Sequence, residues 1–298
     1  MDLALTILMD GLIYASWLFV VALGLTLVFG VLKILNIAHG SLYAVGAYMA
    51  ASLVALFASW NLAPAFSLVA MLLAAIGVAV VLGPLLERGL LRLFYGRDEV
   101  LLLLVTYALF LILEDAAKLI WGVNPYYVSE PYQLFGNVAF GPLFYVGYDF
   151  ALIALAVVCG LLVWFGLNRT VTGKIVLPVI HNHEMSLSQG VNVNRVHMLA
   201  FTVGVFLAAL GGAFTAPMIS VQPGISVGVI VVSFAVIIIG GLGSIEGAAI
   251  GAVIVGLARA AAVHLFPEAE LFSIYLVMAA VLIVRPEGLF QRAAARKI

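Results

Sequence analysis

Asn36-Ile37-Ala38-His39-Gly40-Ser41 sets an amide, an imidazole and a hydroxyl within six residues of an otherwise apolar stretch. Such groups can hydrogen-bond a polar solute or hold irregular backbone together. Small residues follow at helical spacing, Gly40, Ala44, Ala47 and Ala51, which lets a neighbouring helix approach closely. A second interruption, Gly240-Gly241-Leu242-Gly243-Ser244-Ile245-Glu246-Gly247, leads into another small-residue stripe with Gly251. Irregular backbone at membrane depth is tolerated only where protein or an aqueous cavity covers it, so paired Gly-rich breaks in the two halves of a chain point to a translocation path. The residues predicted to border it are Asn36, His39, Gly40, Ser41, Gly243, Ser244 and Glu246. The alternative for either break is an ordinary interhelical turn at the membrane surface.

Glu114, Asp115 and Lys118 place charge in an apolar segment, and Glu114 with Lys118 has the i,i+4 order that favours an ion pair. Near the outer end of that segment the pair is either structural or part of the path. The stretch 168–195 is the longest polar connection. Asn182 suits an N-cap, Glu184 a first helical turn and Gly190 a helix stop, while Val179, Ile180, Met185 and Leu187 put apolar side chains on an aqueous loop, the mark of a partner surface. Gly173-Lys174 lacks the glycine spacing of a phosphate-binding loop, so no ATP site is expected in this chain. His181 and His183 have no clustered ligands, and the single cysteine, Cys159, allows neither a disulfide nor a thiolate metal site. With no carboxylate or serine at helical spacing from His39, no catalytic set is predicted.

The elements that must position these groups are membrane helices. Of 298 residues, 65% are hydrophobic and 9% charged, and the mean hydropathy is +1.25, outside the range of soluble domains. Long apolar runs exclude the alternating strands of a barrel. A net charge of -1 without any basic patch gives no reason to expect a nucleic-acid partner. At about 20 residues per crossing, spans are predicted near 4–30, 38–59, 63–86, 99–121, 145–167, 196–218, 226–243, 246–265 and 270–285. The first lacks a basic flank and is too long for a signal peptide, so it is expected to be retained. The expected fold is an all-α polytopic bundle of about 8–9 transmembrane segments with broken or re-entrant helices, a single domain over 1–298. Arg88, Arg92 and Arg97, then Arg169, Lys174 and Arg195, then Arg285, Arg292, Arg296 and Lys297 fall on one side, predicted to be cytoplasmic together with the C-terminus. The aromatic 122–144 loop and the acidic 264–270 turn are predicted to face outward, and Lys33 leaves the side of the first segment's start open.

Gly24-Leu25-Thr26-Leu27-Val28-Phe29-Gly30-Val31-Leu32-Lys33-Ile34-Leu35-Asn36-Ile37-Ala38-His39-Gly40 resembles the N-terminal signature of LivH-type permeases of branched-chain amino acid ABC importers. Gly240-Gly241-Leu242-Gly243-Ser244 is similar to their later signature, and Thr170 to Lys174 with Glu184 to Arg195 to their ATPase-coupling loop. Leu177-Pro178 and Glu246 depart from the family pattern. The resemblance implies a non-enzymatic transport subunit of the bacterial inner membrane, moving branched-chain amino acids or a related small polar solute from periplasm to cytoplasm. It also implies a LivM-like second permease, LivG-like and LivF-like ATPases that hold ATP and Mg2+, a periplasmic solute-binding protein, and no cofactor in this chain. On that reading Val179, Ile180, Glu184, Met185, Leu187 and Gly190 couple to the ATPase. The competing expectation is an ion-coupled secondary transporter, which would draw on Glu114, Asp115 or Glu246.

Overall fold

Every backbone N–H and C=O inside a hydrocarbon layer needs a partner from the protein, and helices supply it within each segment. The computed structural model describes residues 2–140, 143–181 and 183–290, apart from the side chains of Asp2, Phe140, His181, His183, Glu184 and Met185. Its helices are α1 (Asp2–Leu32), α2 (His39–Ser59), α3 (Phe66–Gly89), α4 (Glu99–Trp121), α5 (Gly147–Arg169), α6 (Val171–His181), α7 (His183–Ser188), α8 (Val193–Thr215), α9 (Ile225–Gly240), α10 (Ile245–Leu265) and α11 (Glu270–Val284). Among the described residues eight helical segments are long and apolar enough to cross a membrane, and α9, at 16 residues, is apolar but shorter than these. Each predicted segment overlaps one of these helices. Sequence periodicity did not reveal the antiparallel hairpin β1 (Asn137–Phe140) and β2 (Leu143–Val146) in the aromatic loop.

The two ends of the bundle differ in charge. Arg88 in the last turn of α3 and Arg92 just beyond it line one cavity with Arg195 of α8, so the first two basic regions converge. The C-terminal turn of α1 lies at this basic end, where Leu27 and Val31 pack with Val176, Val179, Val193 and Val196. At the opposite end Asp10 of α1 meets His264 of α10 at 2.6 Å. α1 therefore runs from the acidic, aromatic end to the basic one, the direction that the sequence left open. The tail residues Arg292, Arg296 and Lys297 lie outside the described residues.

α1 is the central pillar, with Leu18, Val20, Ala22, Leu23 and Leu25 all buried. Beside it α2 and α8 cross at backbone contact. A Cβ on Gly212 would stand 1.9 Å from the Tyr43 carbonyl oxygen, and one on Gly46 would stand 2.3 Å from that of Ala209. Only small residues permit such an approach. Gly77 of α3, in contrast, has nothing within 4 Å of a built Cβ. Gly212→Val is expected to cost at least about 1–3 kcal/mol, the scale of core overpacking, and to abolish monodisperse elution of the purified permease. Gly77→Ala should elute normally and melt no lower than the parent.

Candidate translocation site

The first break is a re-entrant segment. α1 ends where Lys33 turns left-handed at φ 58°, its N–H donating to the Phe29 carbonyl at 2.9 Å. The chain then doubles back into the bundle, and His39 Nε2 donates to the Val21 carbonyl at 2.9 Å. Val21 lies eleven residues before the end of α1, roughly 16 Å of helix at 1.5 Å per residue. Residues 33–38 can cover that rise, since extended chain spans up to about 3.3–3.6 Å per residue. α2 thus starts inside the bundle, not at its surface.

One face of α4 holds this segment, through residues four apart. Thr106 Oγ1 donates to the Leu35 carbonyl at 3.2 Å and accepts from the Ile37 N–H at 3.3 Å, and the Phe110 carbonyl accepts from Ser41 Oγ at 3.0 Å. The first N–H groups of α2 reach back to the Asn36 and Ile37 carbonyls. Asn36, His39, Gly40 and Ser41 are all buried, and among the described residues neither polar atom of the Asn36 amide nor His39 Nδ1 has a hydrogen-bond partner. An unsatisfied buried polar group costs about 1–3 kcal/mol, and such groups in native folds call for a functional account.

A second helix start, with Ser226 buried, faces the first. After α8 the chain turns inward through Val221, bridged to Tyr126, and reaches Gly224 at φ 92°. There Glu114, the next residue on the same α4 face, accepts from the Gly224 N–H at 3.3 Å and from Ser226 Oγ. A carboxylate at a helix N-terminus satisfies free N–H groups and complements the macrodipole. The two starts touch, because a Cβ on Gly40 would lie 2.7 Å from the Ser226 carbonyl oxygen.

This geometry corrects the ion-pair expectation. Lys118 pairs with Asp115 at 2.9 Å on the exposed side of α4, while Glu114 turns inward to α9. The i,i+4 spacing identified a neighbour in sequence but not the stronger claim of the α9 start.

The second Gly-rich break does not join the first. Gly243 packs against Gly30 near the basic end of α1, and Gly241 and Gly243 both have positive φ. Ser244 caps α10 by accepting from the Gly247 N–H at 3.0 Å, while Glu246 is exposed. The Leu289 and Phe290 N–H groups donate to the Ile239 and Gly240 carbonyls, each at 2.9 Å, and so close the end of α9. The break is the interhelical turn held open as the alternative.

The 168–195 connection is mostly helical, as α6 and α7. Val179 is only 3% exposed and packs on α1 and α8, and Ile180 leans on the same cluster, so Val179 cannot be a contact surface for a partner. Leu187 is exposed and lines a groove of about 610 Å³ with Tyr95, Gly190 and His197. Gly190 has φ 79°, the left-handed stop that its position after a helix suggested. The side chains of Glu184 and Met185, and Asn182 altogether, lie outside the described residues. Beside the groove Tyr95 donates to Glu87 Oε1 at 3.2 Å; burial, helped by that carboxylate, pushes the Tyr95 phenol upward and keeps it a donor.

Sequence reasoning missed a charged cluster at the acidic end. Arg259 of α10 binds Glu270 and stacks 4.2 Å from the Tyr14 ring centroid. A lone cation in a predicted span was the available signal.

The chain matches, over residues 7–284, the profile of the family described as branched-chain amino acid transport system / permease component. It is 28% identical to the high-affinity branched-chain amino acid transport system permease protein BraD of Pseudomonas aeruginosa, covering 98% of this chain and 97% of that one. It is 24% identical to the permease protein LivH of Escherichia coli over 97% and 96% of the two chains, and 25% identical to the probable LivH of Methanocaldococcus jannaschii over 97% and 93%.

Glu114→Ala strands the Gly224 N–H and the Ser226 hydroxyl and is expected to destabilise the purified permease by about 1–3 kcal/mol. Lys118→Ala should leave its thermal midpoint unchanged. An equal loss from both substitutions would show that Glu114 acts through Lys118 after all.

Proposed function

We propose an import role for this chain, which belongs to the family of branched-chain amino acid transport system permease components. It acts as the membrane-spanning subunit of an ATP-binding cassette importer, carrying branched-chain amino acids or a related small polar solute from periplasm to cytoplasm. The family match across residues 7–284 carries this reading. The whole chain serves as one transmembrane domain in the inner membrane, with the arginine-lined end and the C-terminus cytoplasmic. No cofactor is needed within it, since LivG-like and LivF-like ATPases supply ATP and Mg2+ chemistry. A LivM-like permease completes the pair, and a periplasmic binding protein delivers solute at the acidic, aromatic end.

The solute passes where the starts of α2 and α9 meet. Asn36, His39, Gly40, Ser41 and Ser226 offer polar groups and slim backbone there, and separation of the two starts would uncover them. Gly243, Ser244 and Glu246 stand at the cytoplasmic turn of α9 and α10, where a stroke would enter α9. An ion-coupled mechanism would ask Glu114 to exchange partners during transport, yet Glu114 is engaged as a helix cap.

Coupling falls to the groove around Leu187 and Gly190, with α7 as the contact and the Val179–Val31 packing as the lever to α1. A β-branched residue at Gly190 opposes the positive φ of the turn. In proteoliposomes containing the co-purified complex, Gly190→Val should cut ATP-driven leucine uptake and solute-stimulated ATP hydrolysis by at least about tenfold, equivalent to about 1.4 kcal/mol. The variant permease should still insert. Normal rates for both activities would reject the coupling assignment; failure of the parent complex to recruit an ATPase would reject the importer reading itself.

A further inference from the structure

Two cavities at the acidic end, of about 290 and 540 Å³, adjoin and share Tyr14, Trp17, Met218 and Arg259 in their walls. Together they fall in the size range of small-molecule sites, about 300–1,000 Å³. Arg259 sits at their junction. A guanidinium has five N–H donors in a planar fork that suits a carboxylate, and the bond to Glu270 uses Nη2. The Tyr14 ring braces its face.

The smaller cavity carries opposite charge. Asp10 and Asp149 line it, with Asp10 already bonded to His264. Asp149 is only 6% exposed, and its Oδ1 has no hydrogen-bond partner among the described residues. A buried carboxylate oxygen left open beside a cavity is an acceptor for a cationic donor. The larger cavity adds an apolar wall from Ile225, Val229 and Val232. A fixed cation, an open carboxylate and an apolar wall around one space match the three parts of an apolar α-amino acid. An inorganic anion would leave Asp149 unanswered, and a neutral sugar would leave both charges unused.

We propose that Arg259 and Asp149 form an acceptance site for an amino acid zwitterion, Arg259 taking the carboxylate, Asp149 the ammonium, and Val229 and Val232 the aliphatic side chain. This rests on the import reading and specifies where the solute first binds the permease. Val229 belongs to the face of α9, so an occupied site touches the helix whose start is capped by Glu114.

The site is tested in the assembled complex with Cys159→Ser and Met218→Cys, following the rate of labelling by a small aqueous thiol reagent. Leucine at tens of millimolar should slow labelling at least about threefold, a ratio equivalent to about 0.65 kcal/mol at RT ≈ 0.59 kcal/mol. Leucinamide, which lacks the carboxylate, and 4-methylpentanoate, which lacks the ammonium, should not. Asp149→Asn and Arg259→Gln should each remove the protection, and Arg259→Lys should keep part of it. If Arg259→Gln does not assemble, Asp149→Asn and the two analogues decide. Absence of labelling in any state, equal protection by both analogues, or leucine protection that survives Asp149→Asn would overturn the proposal. Leucine uptake is measured alongside: uptake without protection rejects this site and leaves the import reading standing, whereas protection without uptake does the reverse.

Discussion

A helix that starts inside an apolar bundle exposes backbone N–H groups where no water can serve them. In this chain α2 starts that way, α9 starts against it at the buried Ser226, and the rest of the architecture is arranged around holding the two starts. α4 supplies most of the restraint from a single face, with Thr106 under the re-entrant segment, the Phe110 carbonyl at Ser41 and Glu114 at the start of α9. Further along that face Trp121 Nε1 donates to Ser52 Oγ at 2.7 Å and ties down the C-terminal half of α2. A straight transmembrane α2 would need none of these bonds. Their presence indicates that the interrupted geometry is specified by the sequence, and does not arise from loose packing.

Packing then explains why so many small residues are needed. Two interrupted helices bring backbone into places where complete helices would put side chains. The α2–α8 crossing at Gly46 and Gly212 and the α9–α10 approach at Gly240 and Gly247 are close enough to exclude a Cβ. Between them α1 supplies an uninterrupted apolar surface, which is why its buried face is almost entirely aliphatic. The basic end is closed by aliphatic contacts from α6 and α8 onto α1.

Much of this was legible in the sequence because hydrophobic length and charge asymmetry act locally. The number of segments, the side shared by the basic loops, and the irregularity around Asn36 to Ser41 all followed from residues near one another in the chain. The partner of Glu114 did not, because Ser226 lies 112 residues away and local spacing offered only Lys118. The burial of Val179 was hidden for the same reason: an apolar residue in a polar loop reads as a partner surface unless the intramolecular face it meets is known. The Gly240–Gly247 run looked like the first break because glycine marks both a buried interruption and a tight surface turn. Arg259 was in plain view within an apolar span, and only its arrangement with Glu270, Tyr14 and the cavity beside Asp149 gives it meaning.

The central claim is that the facing starts of α2 and α9 part to admit the solute. Single cysteines at Ser41 and Ser226, in a Cys159→Ser permease within the complete complex, can be labelled with a small aqueous thiol reagent in the nucleotide-free and ATP-trapped states. Both sites are buried in the structure described above. The account predicts that both become reactive in one nucleotide state and stay protected in the other, by a ratio of at least about tenfold. Equal protection of both positions in every state, with the complex active in uptake, would contradict it.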